Sequence, residues 1–219
     1  MGAHARAQLL CVLGENLARR RADFARWIGE AEADAAIARC FFYAGFADKV
    51  EGATVPARPG HLTMVLPEPR GVIGLVCPAE APLLGLLSLV LPAVAMGNAV
   101  VAVASQDRPR AALELAQVLD ASDLPAGVVN ILTGPRDELA TTLAAHDDVA
   151  ALWLGAGGPL RAVCERAAAG NLKPVWLPGA RDWHGPEGQG RAFLRRATRS
   201  KTIWLPYGAV PAGTAAPRY

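Results

Sequence analysis

The chain has 219 residues, 52% of them hydrophobic, and its 22 basic and 20 acidic residues leave a formal net charge of +2. That is apolar material enough for one large domain, or a domain with an appendage, and too little excess charge for the footprint of a nucleic-acid-binding protein. The four cysteines and four histidines are scattered without CxxC or Cys/His spacing, which excludes a zinc motif or a disulfide framework and predicts reduced, cytoplasmic thiols.

The N-terminal MGAHARAQLL lacks the long apolar core of a signal peptide. From Ala5 to Asp48 the pattern is helical: Leu10, Leu13 and Leu17 recur at spacings of three and four, as do Phe24, Trp27, Ile28 and Ala31. Breaks are predicted around Arg21–Asp23 and near Gly29. From Glu51 to Pro69, Gly52, Pro56, Pro59-Gly60 and Pro67 punctuate two short extended runs, Ala53–Val55 and His61–Leu66. They predict a β-ribbon outside the main core, whose edge needs a partner strand.

Between Arg70 and Asp107 the only charged side chain is Glu80. A membrane span is one reading of so long an uncharged stretch, but neither half reaches the roughly 20 apolar residues a span needs. Val72–Cys77 is a short β-branched run ended by Pro78. Leu83–Met96 is helix-length and stops at Gly97-Asn98, and Ala99–Ala104 is a second short run. The stretch therefore predicts a buried βαβ unit, whose strands are apolar throughout because both faces are covered.

Helices over Ala111–Leu119, Asp137–Ala145 and Pro159–Ala169 then alternate with strands over Gly127–Leu132, Val149–Leu154 and Lys173–Leu177. That order implies an α/β fold with an open parallel sheet, helices on both faces and ligands beyond the carboxyl ends of the strands. Gly155-Ala156-Gly157-Gly158 follows a strand and opens a helix, as a phosphate-binding turn does, but lacks the full G-x-G-x-x-G pattern. Residues 179–190 are a Gly-rich loop, Ala192–Arg199 a short helix and Lys201–Leu205 a strand. A small-residue tail follows, predicted to be disordered. The basic clusters at Arg19–Arg21 and at Arg191, Arg195, Arg196, Arg199 and Lys201 are those of solvated helix faces.

Several stretches together resemble the aldehyde dehydrogenase superfamily. They are Phe42–Lys49, Glu68–Gly74, Pro92-Ala93 with Gly97–Val101, Leu124–Gly134, Asn171–Lys173 and Lys201–Pro206. Within it the chain is most similar to the shortened, non-catalytic second module of the two-module family-16 proteins. The resemblance implies N-terminal helices (1–50), a β-ribbon acting as an oligomerisation arm (51–69) and a Rossmann-like cofactor-type domain (70–179). A loop, short helix and closing strand (180–206) and a flexible tail (207–219) complete the chain.

Departures from that pattern bear on function. The family holds its oxyanion with an asparagine in a Pro-Trp-Asn-type segment, and here the run is Pro78-Ala79-Glu80-Ala81-Pro82. A carboxylate offers no donor there. The lysine and glutamate that grip the adenosine ribose are Val103 and Gln106, with Ser105 retained. The deacylating glutamate is Pro178, which cannot act as a general base. The domain carrying the nucleophilic cysteine is replaced by a short segment after Gly179. Neither Cys77 nor Cys164 is at the nucleophile's position, and both are predicted to pack in the core.

No catalytic or metal-binding residue is therefore expected, only a degenerate cofactor cleft at Glu80, Ser105, Gly155 and Ala156, with no cofactor bound although the parent family uses NAD. The expected role is a cytoplasmic oligomerisation or partner-binding module without membrane or nucleic-acid contacts. It would form a homodimer, or join a dehydrogenase-like partner, by strand pairing at His61–Leu66 and Lys201–Leu205. The alternative is the NAD(P)-binding half of a dehydrogenase whose catalytic domain lies on another chain.

Overall fold

The computed structural model describes residues 1–155, 157–179 and 181–207, so Ala156 and the predicted tail beyond Tyr207 lie outside the described residues. Three helices open the chain: α1 (Ala3–Arg19), α2 (Arg21–Ile28) and α3 (Glu30–Ala44). The first break falls at Arg20, slightly ahead of the predicted position. The second is at Gly29, whose φ of 86° is one that L side chains rarely adopt.

The predicted βαβ unit is present as β3 (Val72–Val76), α4 (Leu84–Ala95) and β4 (Ala99–Val103), after β1 (Ala53–Val55) and β2 (His61–Pro69). Then follow α5 (Arg110–Asp120), β5 (Val129–Leu132), α6 (Arg136–Ala145), β6 (Val149–Leu154), α7 (Pro159–Ala168) and β7 (Val175–Trp176). The five strands β5-β4-β3-β6-β7 form one parallel sheet in that order. The chain runs outward from β3 to β5, then returns to lay β6 against the other side of β3. The carboxyl ends of β3 and β6 thus part to make a crevice, the usual ligand position of an open α/β sheet.

Strand side chains alternate between two cores. Ile73, Leu75, Val100, Ala102, Ala151 and Trp153 join the larger one with α1, α3, α4 and α5. Val76, Val103, Leu152 and Leu154 join the smaller one, formed with α6 and α7. Buried Lys173 closes the second layer: its Nζ donates to the carbonyls of Leu143, at 3.4 Å, and His146 at the end of α6.

Helix α4 has no exposed face, since all 12 of its residues are buried. Its first amides are met from α3: Glu32 Oε1 accepts from Leu83 N at 2.9 Å and Leu84 N at 3.0 Å. Two turns along α3, buried Arg39 donates to Ser88 Oγ on α4 and to the carbonyls of Gly188 and, at 2.8 Å, Trp183. Those carbonyls belong to the segment that leads from β7 to α8 (Arg191–Arg196) and β8 (Thr198–Pro206). Trp183, Phe193 and Leu194 of this segment are buried in the larger core, and Phe193 meets Trp176 edge-on at 5.2 Å. The predicted short helix is present as α8, and the Gly-rich loop before it sends Trp183 into the core.

β8 returns to pair with β2 along its whole length, from Pro69↔Thr198 to His61↔Pro206, while β1 pairs with Thr63–Val65 on the other side. The strand that the edge of the ribbon needed is thus β8 of the same chain: β2 is the middle strand of three, and the uninterrupted open edge belongs to β8. Among the described residues no helix is long and apolar enough to cross a membrane.

Replacing Glu32 by Ala would leave two buried amides without an acceptor. Urea denaturation should show a loss of about 3 kcal/mol. Glu30→Ala, at an exposed ion pair on the same helix, should cost less than about 0.5 kcal/mol.

Candidate functional site

A cavity of about 500 Å³ opens at the crevice between β3 and β6, lined by Ala79, Glu80, Arg136, Leu154, Gly155, Gly157, Leu177, Gly179, Arg181 and Trp183. Local chain chemistry builds it. Pro78 ends β3 and turns the chain so that Ala79 and Glu80 stand exposed before α4 begins. Gly155 ends β6 with its N–H on the Val76 carbonyl at 2.8 Å. A Cβ at position 155 would come within 2.5 Å of Val76 O and 2.6 Å of Pro78 N. Glycine is required there by the close approach of two strand ends, a packing reason that involves no ligand.

Of the residues singled out from the sequence, Glu80 and Gly155 meet in this cavity and Ala156 lies outside the described residues. Ser105 stands apart. It is 3% exposed at the end of β4, is not part of the cavity lining, and its Oγ has no hydrogen-bond partner. Val103 is fully buried in the smaller core. Gln106 is turned to internal use, its Oε1 accepting from Arg136 N at 2.9 Å at the start of α6.

Arginines that the sequence reading passed over shape the rest of the cleft. Arg108 Nη2 donates to the carbonyls of Ala79 and Glu80, both at 2.7 Å, strapping the β3–α4 turn to the end of β4. Arg136 reaches the cavity from α6 and pairs with its neighbour Asp137 at 2.8 Å. Arg181 donates to the carbonyls of Glu187, at 2.7 Å, and Pro178, and lies over the rings of Trp183 and Phe193. Burial holds the Arg181 pKa below its usual value. Its place directly after the Gly179 strand end was the available signal; the folding of the segment over the sheet was not visible locally.

The thiols near the site are inert by environment. Cys77 is 3% exposed, and burial pushes its pKa up to about 12. Burial raises Cys40 likewise to about 12, and Cys164 rises for the same reason. Among the described residues no cluster of three or more His, Cys, Asp or Glu could hold a metal ion.

A parallel sheet ordered this way, preceded by three helices and carrying its crevice at the β3/β6 reversal, is the architecture of a dinucleotide-binding α/β domain. The profile of the Aldehyde dehydrogenase family matches residues 1–179. The chain belongs to that family. It is 39% identical over 137 residues to the mitochondrial benzaldehyde dehydrogenase of Antirrhinum majus, covering 62% of this chain and 26% of that protein. An aldehyde dehydrogenase of Emericella nidulans is 36% identical over 137 residues, with 62% and 28% covered.

Among solved structures, a putative aldehyde dehydrogenase from Burkholderia cenocepacia superposes with a TM-score of 0.77 at 30% identity, over 81% of this chain and 40% of that one. PnpE from Pseudomonas sp. WBC-3 gives 0.76 at 26% identity, over 81% and 39%. The chain thus spans about a quarter of the length of the curated relatives it matches.

Two outcomes test this description of the site. Gly155→Ala should lower stability by about 2 kcal/mol in thermal or urea unfolding, since the atoms it meets are backbone. Timed alkylation of the native protein with iodoacetamide near pH 7, read by mass spectrometry, should label half-buried Cys11 well before Cys40, Cys77 and Cys164.

Proposed function

We propose that this chain is a non-catalytic aldehyde-dehydrogenase-like module, akin to the shortened second module of the family-16 proteins, that serves as a structural or partner-binding domain. What carries the reading is the state of the polar groups at the strand-end crevice. The position assigned by resemblance to the ribose-gripping lysine holds a buried valine, Val103, with no hydrogen-bonding side chain. The amide of Gln106 is already engaged with Arg136 N. Glu80 sets a carboxylate on the cavity wall where the family supplies a neutral donor. This set does not fit NAD as the family holds it, so no chemical step is derived through that cofactor.

The segment between β7 and β8 supports the same reading. It passes from the parallel sheet to β8 by way of one six-residue helix and is fastened to α3 by Arg39. Pro178, at the general-base position, is buried and offers only its carbonyl, which Arg181 occupies. The binding surface in this proposal is the open edge of β8. Leu62, Leu66 and Leu205 share one face of this sheet and are 38–44% exposed, and Trp204, on the other face, is 48% exposed. Such an edge and apolar surface favour strand pairing with a second copy or with a dehydrogenase-like chain.

A second reading, an NAD(P)-binding half whose catalytic domain is on another chain, draws on one observation: the buried, unpartnered Ser105 Oγ at a retained family position. Isothermal titration with NAD and NADP separates the two. The module reading expects no saturation below about 1 mM, and a micromolar dissociation constant for either would replace it with the second. Multi-angle light scattering should give at least a dimer, or a complex on addition of a full-length aldehyde dehydrogenase, and Leu62→Lys with Leu205→Lys should abolish it. A monodisperse monomer indifferent to such a partner would defeat the proposal.

A further inference from the structure

A second cavity, of about 690 Å³, lies at the amino ends of the strands, opposite the crevice. It forms where α4 stops and the chain reverses through Gly97 and Asn98 into β4, and the start of α1, the end of β2 and the turn before β5 close round it. Its walls are largely apolar, lined by Val50, Pro69, Val94, Met96, Pro125 and Val128. The prolines among them carry no N–H, so they ask for no acceptor on the wall. A pocket of this size and lining, with a few polar groups, suits a small organic ligand.

The polar groups on the wall decide which ligand fits. Asn98 is fully engaged: its Oδ1 accepts from Arg70 N at 2.7 Å and Gly71 N at 3.1 Å, and its Nδ2 donates to the carbonyls of Ala93 at 2.9 Å and Ala197 at 3.0 Å. The Thr198 hydroxyl donates to the Arg195 carbonyl at 3.2 Å. At the end of α4 the Val94 carbonyl accepts from Gly97 N at 2.9 Å, and the Ala95 carbonyl accepts from Arg6 Nε at 2.8 Å. The Asp48 carboxylate is taken by Lys49 Nζ at 3.0 Å, with His4 Nδ1 3.7 Å from its other oxygen. Each of these acceptors thus already has a donor.

The donors of Arg6, which lines the same wall, are only partly used. A second N–H goes to the Met1 carbonyl at 2.8 Å, and among the described residues the other three of its five find no acceptor. No carboxylate among the described residues stands within ion-pair distance of it. The negative end of α4 offsets only about half of its charge. Gly97 lies against the guanidinium, where a Cβ would stand 3.4 Å from Nη1. Partial burial holds the Arg6 pKa below its usual value. A half-buried guanidinium with free N–H groups is matched well by a carboxylate, whose two oxygens accept its fork.

We propose that this cavity binds a small organic carboxylate with an apolar body, its oxygens on Arg6 and its body against the apolar walls. The site is independent of the crevice and of the module reading, since it lies at the other end of the strands.

Isothermal titration of the full chain with octanoate, and with octanamide as its uncharged counterpart, tests it. Octanoate should bind saturably, one to one, and about tenfold or more tighter than octanamide. Arg6→Gln should weaken octanoate binding about tenfold. Ala3→Trp keeps the guanidinium and its contact with α4; at a half-buried wall position in the first turn of α1, it should fill the cavity and abolish binding. Arg26→Gln removes a like charge from an exposed position on α2 and should leave the affinity unchanged. No saturable octanoate binding, equal affinity for the amide, or binding that survives Ala3→Trp would overturn the proposal.

Discussion

A helix with no exposed face is the constraint on which the rest of this protein depends. Helix α4 carries five leucines among its 12 buried residues, and each such side chain left in water would forgo about 2 kcal/mol. It must therefore be covered on every side. β3 and β4 take one side, α1 and α3 another, and α8 closes what remains. Its terminal amides cannot reach water either, so they need protein acceptors. Glu32 supplies one for Leu83 and Leu84, and Arg39 extends the same α3 surface to Ser88 and to the closing segment. One buried helix thus dictates where α3 lies and where the chain must return after β7.

That dependence constrains the core more tightly than the walls of the crevice. Core positions are coupled, because a change at one forces its neighbours to move. Gly155 shows the coupling at its tightest: its absence of a Cβ is required by Val76 and Pro78 backbone atoms, whatever occupies the crevice. Glu80, Val103 and Gln106 are constrained differently. No close backbone approach dictates their identity, and each is compatible with the packing around it. Val103 adds to the smaller core, Gln106 satisfies the first amide of α6, and the exposed Glu80 costs the core nothing.

The strands and helices of the parallel sheet were legible in the residues because burial on both faces leaves a plain mark. Val72–Cys77 and Ala99–Ala104 are apolar throughout, and the structure has strands at Val72–Val76 and Ala99–Val103. β7 is shorter than Lys173–Leu177 suggested, because Lys173 turns to the end of α6 instead of extending the strand. The crevice was legible at Glu80 and Gly155, which stand at strand ends. Ser105 was not separable from them by sequence, since whether its hydroxyl faces the cavity or the interior depends on the twist of β4. Arg108, Arg136 and Arg181 were overlooked because arginines outside a motif resemble solvated surface.

By itself the sequence determined which segments must leave water, where each stops and in what order strand and helix alternate, because those properties follow from local periodicity and from proline and glycine. Only the tertiary structure decided that Arg39 ties the closing segment to α4, that β2 lies between β1 and β8, and that Arg70 reaches the Arg196 carbonyl at the end of α8. These contacts join residues up to 149 positions apart. Such meetings follow from how a buried helix forces the layers together, and no local pattern encodes them.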